Sequence, residues 1–165
     1  AHLLTQVRDN LQAFTLDSDV QVARFAAAVD AFGSPASWWG RLLGRDGAEQ
    51  VNLKKAGLFP IVHGVRSLAL AQGIGATSTA ERLDALVAQQ VLDPKLGQEL
   101  QESLYFLMGL RLQAGLHEWA LHRPISGNVD PSTLSSLERD LLKDTLAVVK
   151  RFKAVLHQRL RLDLV

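Results

Sequence analysis

The chain has 165 residues, of which 47% are hydrophobic and 21% charged, with a formal charge of +1. That is length enough for one domain burying roughly 70% of its unfolded surface, and too little net charge to hold a nucleic-acid backbone. The absence of cysteine excludes disulfides, cysteine-ligated zinc and thiol nucleophiles, and no apolar run approaches the ~18 residues of a membrane span. No export signal is read at Ala1, so a soluble protein in the cytoplasm is the expectation. A first residue other than methionine fits a domain cut from a longer protein.

Residues 2–14 carry Leu3, Leu4, Val7, Leu11 and Phe14 at helical spacing, which predicts a helix with one apolar face. Asp17 and Asp19 stand where an N-cap belongs, and Val22, Phe25, Val29 and Phe32 continue the pattern until Gly33, Ser34 and Pro35 end it. These residues, 1–34, are expected to form an N-terminal helical pair. From Ala36 to Gly57 the pattern is irregular, with Trp38 and Trp39, a turn at 44–47, and room for a short helix or a brief extended piece. Two tryptophans in such a loop could stack a base, but they are better suited to sealing one end of a bundle.

Residues 58–71 read as a buried helix with Pro60 in its first turn, closed by Gly73 and Gly75. Ser78 and Glu81 form a capping box for a helix to about Gln90. Asp93 and Pro94 then start a long helix reaching about His122. Residues 123–133 form a loop, and Ser135 with Glu138 cap a last helix to about Leu162, with Leu137, Leu141, Thr145, Val148, Phe152 and Val155 as its stripe. No strand-length alternation is present. The fold class is all-α: an elongated antiparallel bundle with two long C-terminal helices.

Charges on apolar helices mark the candidate site. Arg66 lies in a helix apolar nearly all round, three residues from His63 and so near its face. Arg111 is the only charge between Leu104 and Leu116. A buried guanidinium requires a carboxylate, carbonyls or an anionic ligand. Glu81, Asp84, Glu118 or Asp130 could pair internally with these arginines; alternatively, both line a cleft for phosphate or carboxylate. Lys54 and Lys55 precede a helix whose N-terminus itself favours anions. His117 and His122 are five apart and off one face, so no metal site is read. Asp17-Ser18-Asp19 reads as a cap, and no nucleophile elbow or complete catalytic centre is present.

The stretches VNLKKAGLFPIVHGVRSLALAQGIGATSTAERLDAL, LMGLRLQ and GNVDPSTLSSLERDLLKDTLAVVKRF resemble the C-terminal substrate-binding domain of bacterial nucleotidyltransferases. That family is often joined to cyclic-nucleotide-binding and CBS domains and is related to the nitrogen-regulator uridylyltransferases. The resemblance covers about residues 35–160. Lys54, Gly57, Pro60, Arg66, Thr79 and Arg82 match its first block; Leu110 and Arg111 match the middle one, and Asn128, Asp130 and Pro131 the last. Asn52 stands where the family usually has aspartate, and Gly115 where a glutamine is common.

The resemblance implies that the chemistry, with its magnesium and nucleotide, belongs to a preceding catalytic domain absent from this chain. This chain would then be non-catalytic, with no cofactor of its own. Lys54, Lys55, His63, Arg66, Arg82 and Arg111 would bind a nucleotide or acidic acceptor, and Asn128 and Asp130 would shape the mouth. The alternative is a regulatory interaction module of a bacterial signal-transduction protein, possible as a homodimer, docking through an exposed apolar patch on the first helix.

Overall fold

The computed structural model describes residues 2–16, 19–31 and 50–164. Asp17, Gly33 to Pro35, Trp38, Trp39 and the 44–47 turn lie outside the described residues. Within them are six α-helices: α1 (His2–Leu16), α2 (Asp19–Ala26), α3 (Phe59–Ala71), α4 (Thr79–Ala88), α5 (Pro94–Ala120) and α6 (Ser136–Leu160). The fold is an all-α bundle, as the helical spacing implies. None of these helices is long and apolar enough to cross a membrane.

Local chemistry sets the helix starts. Ser78 Oγ accepts from Glu81 N at 3.2 Å while the Glu81 carboxylate accepts from Ser78 N. Ser135 and Glu138 repeat that box at α6, and Asp93 Oδ1 accepts from Lys95 N and Leu96 N ahead of Pro94. Each satisfies amides that the first helical turn leaves without partners. The stops are less usual. Beyond α3, Gly73 turns left-handed at φ 65°, but Gln90, His122 and Arg161 do the same after α4, α5 and α6 at φ 57°, 54° and 50°.

Helix α3 is the hub, packed against α1, α2, α4 and α6, while α5 lies on α4 and α6. Leu53, Ile61, Leu68, Leu83, Leu86, Leu100, Leu107, Leu142, Phe152 and Leu156 are fully buried between them. Each such side chain contributes roughly 1.5–3 kcal/mol through lost apolar exposure. Two close approaches define the hub. Gly64 of α3 faces Phe152 and Leu156 of α6, and Gly57 faces Leu107 of α5, each with no room for an unopposed Cβ.

The irregular 50–58 stretch resolves into two features. Val51–Asn52 (β1) pairs antiparallel with Asn128–Val129 (β2), Val51 opposite Val129 and Asn52 opposite Asn128. A single wide π-helical turn, Lys54–Leu58, then feeds directly into α3. A π turn inserts one residue relative to α-helical register and is often found at functional positions.

The stripe expected on α6 is corrected. Leu137 and Leu141 are exposed, and the inward positions are Leu142, Thr145, Leu146, Val149, Phe152 and Leu156. Thr145 and Phe152 belong to both stripes, so the buried face is turned by less than the roughly 100° of one residue. On α1, Leu3, Leu4 and Val7 are exposed; the side chains of Leu11 and Phe14 are outside the described set.

Candidate anion-binding residues

Helix α3 buries Pro60, Ile61, His63, Gly64, Val65, Ser67, Leu68 and Ala69. What remains is one narrow strip through Phe59, Val62, Arg66 and Leu70, and Arg66 occupies its exposed middle. The expectation of a buried guanidinium is therefore overturned at this position. An apolar helix surrounded by neighbours still has one outward line, and the arginine takes it.

The positive charge of Arg66 on α3 reaches Arg82 of α4. Partial burial first, and the Arg66 charge second, hold the Arg82 guanidinium below its ordinary pKa, with exposed Glu81 acting in the opposite direction. Glu81 is meanwhile held below the usual carboxylate range by the Ser78 hydroxyl and amide. Neither arginine makes an ion pair or hydrogen bond among the described residues. Asp84, also considered as an internal partner, is exposed and unpaired there as well.

His63 does not share that face. It is buried, and its Nε2–H donates to the Phe25 carbonyl at 2.7 Å. Its ring stacks on Phe59 at 5.0 Å and tilts against Phe25 at 4.4 Å. Three residues along a helix leave two side chains about 60° apart, enough for His63 to turn into α2 while Arg66 turns out. His63 is thus a clamp between α2 and α3, with that nitrogen already engaged.

Arg111 is also exposed, contrary to the expectation of burial. The buried residues of α5 run from Gly97 to Leu110 and stop there, because the helix continues beyond the elements that cover it. From Met108 onward, Met108, Leu112, Leu116 and Trp119 face outward. Together with Leu58 and Ile125 they line an open cleft of about 570 Å³, in which Arg111 is the sole charged lining residue among those described. Arg111 Nε lies against the backbone of Gly127, where an added Cβ would come within 2.9 Å. Gly127 has φ 67°, a conformation unfavourable for a side-chain-bearing residue.

The far wall of the cleft is pinned by Glu118. Its carboxylate accepts from Ser126 N at 2.8 Å and from Ser126 Oγ at 2.5 Å, bonds that hold it below the usual carboxylate range. Ser126 Oγ in turn accepts from Asn128 N at 3.0 Å. Glu118 is thereby committed to the loop and not to Arg111, which has no acidic partner among the described residues.

The remaining candidates divide by role. Lys54 and Lys55 are exposed on the π turn. Asn52, set aside in the sequence as a departure, is a structural keystone: its Nδ2 donates to Asn128 Oδ1 at 2.9 Å, and its Oδ1 accepts from Lys55 N at 3.0 Å. The signal that could have found it is its position two residues ahead of the lysines, where an Asn caps well. Asp130 caps the short 3-10 turn Pro131–Thr133, accepting from Ser132 N at 2.8 Å and Ser132 Oγ at 2.6 Å, and those bonds depress its pKa.

The charge of Arg66 therefore bears on Arg82, while Arg111 lies separately against the loop at Gly127. It does not join the two groups. Leu58 at the start of α3 lines the Arg111 cleft, and Arg66 lies eight residues further on, about 12 Å along the helix. Among the described residues no group of three or more His, Asp or Glu is placed to hold a metal ion.

No curated protein and no solved structure matches the chain. Residues 19–160 match the family described as "Putative nucleotidyltransferase substrate binding domain", a span that opens with α2, closes with α6 and includes Arg66, Arg82 and Arg111. The chain belongs to that family of nucleotidyltransferase substrate-binding domains.

Proposed function

We propose that this domain grips the anionic part of a nucleotidyltransferase substrate, the phosphates of a nucleotide or an acidic acceptor, for a catalytic domain outside this chain. Arg66 and Arg82 are the gripping groups. The supporting observation is the Arg66 charge acting against Arg82, with no ion pair to either arginine among the described residues. Two guanidinium groups whose charges oppose one another suit a ligand that supplies negative charge. Lys54 adds a third positive charge on the π turn. Catalysis, magnesium and nucleotide chemistry stay with the partner domain, and the parent protein is read as bacterial and cytoplasmic.

The test is thermal unfolding with pyrophosphate, ATP, UTP and GTP. A salt-sensitive rise in Tm is expected, lost in Arg66→Gln and Arg82→Gln while the ligand-free Tm holds or rises. A ligand-induced shift that survives both substitutions places the anion elsewhere. No shift with any of the four, in this chain and in the parent protein alike, removes the reading.

A second reading has its own observation. Leu3, Leu4 and Val7 are 73%, 77% and 57% exposed on α1, which lies outside the matched residues 19–160. Such a face is suited to a regulatory contact with another protein or a second copy. A dimer on a sizing column that Leu4→Glu converts to monomer supports this reading.

A further inference from the structure

We infer that the cleft between the outer half of α5 and the 123–127 loop is a second binding site, for a small amphipathic molecule with one anionic group on a flat apolar body. It is distinct from the Arg66 and Arg82 pair and does not depend on the reading given to them.

The argument begins with the walls. Met108, Leu112, Leu116 and Trp119 recur at spacings of four, four and three along α5, one continuous face, and they are 52%, 65%, 55% and 68% exposed. Ile125, 66% exposed, stands opposite. At about 570 Å³ the space falls within the roughly 300–1,000 Å³ of small-molecule pockets, which are mostly apolar with few placed polar groups.

The loop wall is preformed. Glu118 fixes Ser126 through two hydrogen bonds, and the left-handed Gly127 lets the chain pass directly beneath Arg111. These features set the cleft before any ligand arrives, which limits the ordering cost of binding.

Charge then narrows the ligand. Among the described residues Arg111 is the only charged group in the lining, and it has no acidic partner there. A triphosphate would bring several negative charges against apolar side chains with one cation to meet them, which is costly. A single carboxylate, sulfonate or phosphomonoester meets one planar guanidinium well. Its apolar body then covers surface that water now wets, and the Trp119 indole offers a ring face on which a flat group can stack.

The probe is 1-anilinonaphthalene-8-sulfonate, which joins fused rings to one fixed negative charge, added to the full chain. Saturable one-to-one binding with blue-shifted emission is expected. Arg111→Met, which keeps the apolar wall, should weaken it at least tenfold without lowering Tm. Trp119→Ala should weaken it as well, and 2-naphthoate should displace it where ATP at equal concentration does not. Equal affinity in Arg111→Met, binding without saturation, or displacement by ATP overturns the assignment. So does an equal loss in Arg66→Gln, which would merge the two sites. If the chain instead elutes as a dimer that Met108→Asp dissociates, and binds no probe, the face is a subunit contact and the small-molecule site is wrong.

Discussion

Asn52 and Asn128 face one another across a ladder only two residues long, and the first holds the second by its side-chain amide at 2.9 Å. Because Asn52 Oδ1 also accepts from Lys55 N, one side chain fastens the 128 loop to the turn that launches α3. Asn52→Ala should cost about 1–2 kcal/mol, the sum of a lost cap and a lost partly buried hydrogen bond. Asn52→Asp keeps the acceptor for Lys55, and the Asn128 amide can rotate to donate. Its stability should therefore stay within about 0.5 kcal/mol of the native chain. Denaturant titrations of the two variants make the comparison.

Gly127 carries a second consequence. A Cβ there meets both a left-handed backbone at φ 67° and the Arg111 side chain at 2.9 Å. Gly127→Ala should lose roughly 1–2 kcal/mol from the backbone alone and push Arg111 off its seat. A fall in Tm together with weaker binding of the anionic probe is the expected pair of results; a fall in neither would show that the close approach is not maintained.

Gly64 tests the hub. Its Cβ would lie 2.5 Å from Leu156 Cδ1 and 2.6 Å from Phe152 Cε1, both buried. Gly64→Ala should destabilise by roughly 1–3 kcal/mol through overpacking. Adding Phe152→Leu should recover part of that loss, a non-additivity that a double-mutant cycle on denaturant midpoints can read.

Asp30 makes stability depend on pH. Partial burial pushes its carboxyl up, but the hydrogen bond and charge of Lys153, at 2.8 Å, and then the charge and hydrogen bond of His157, at 2.7 Å, outweigh that, and the net pKa lies below 3.8. A depressed carboxylate stabilises the fold above its unfolded pKa, and the effect is lost as pH falls through the folded value. Asp30→Asn should accordingly lower Tm at pH 6, with the gap to the native chain closing below about pH 4. A gap that stays constant down to pH 2 would contradict the sign.

Some of this organisation was legible residue by residue, and some was not. Ser78 with Glu81, Asp93 with Pro94, and Ser135 with Glu138 act over three or four neighbours, so the sequence displays each helix start whole. The β1–β2 ladder joins residues 76 apart, and two residues are too few to leave an alternating pattern. Arg66 and Arg111 were recognisable as unusual, but their burial was not readable. On α3 an apolar sequence conceals which strip faces out, and on α5 nothing in the local pattern marks where covering elements end. His63 looked like a companion of Arg66 because spacing alone cannot distinguish neighbours that lean to opposite sides. Only the family resemblance points to Arg82, and the bearing of the Arg66 charge on it arises from tertiary packing.

Gln90, His122 and Arg161 each hold a positive φ where glycine would be at ease. Set against the greater freedom glycine has when unfolded, each exchange to glycine should be worth about 0.5–1 kcal/mol. None of the three lines the cleft. The triple variant should melt roughly 5 °C higher, giving a hardier scaffold on which disruptive changes at Arg66, Arg82 and Arg111 can be made and measured without loss of the folded state.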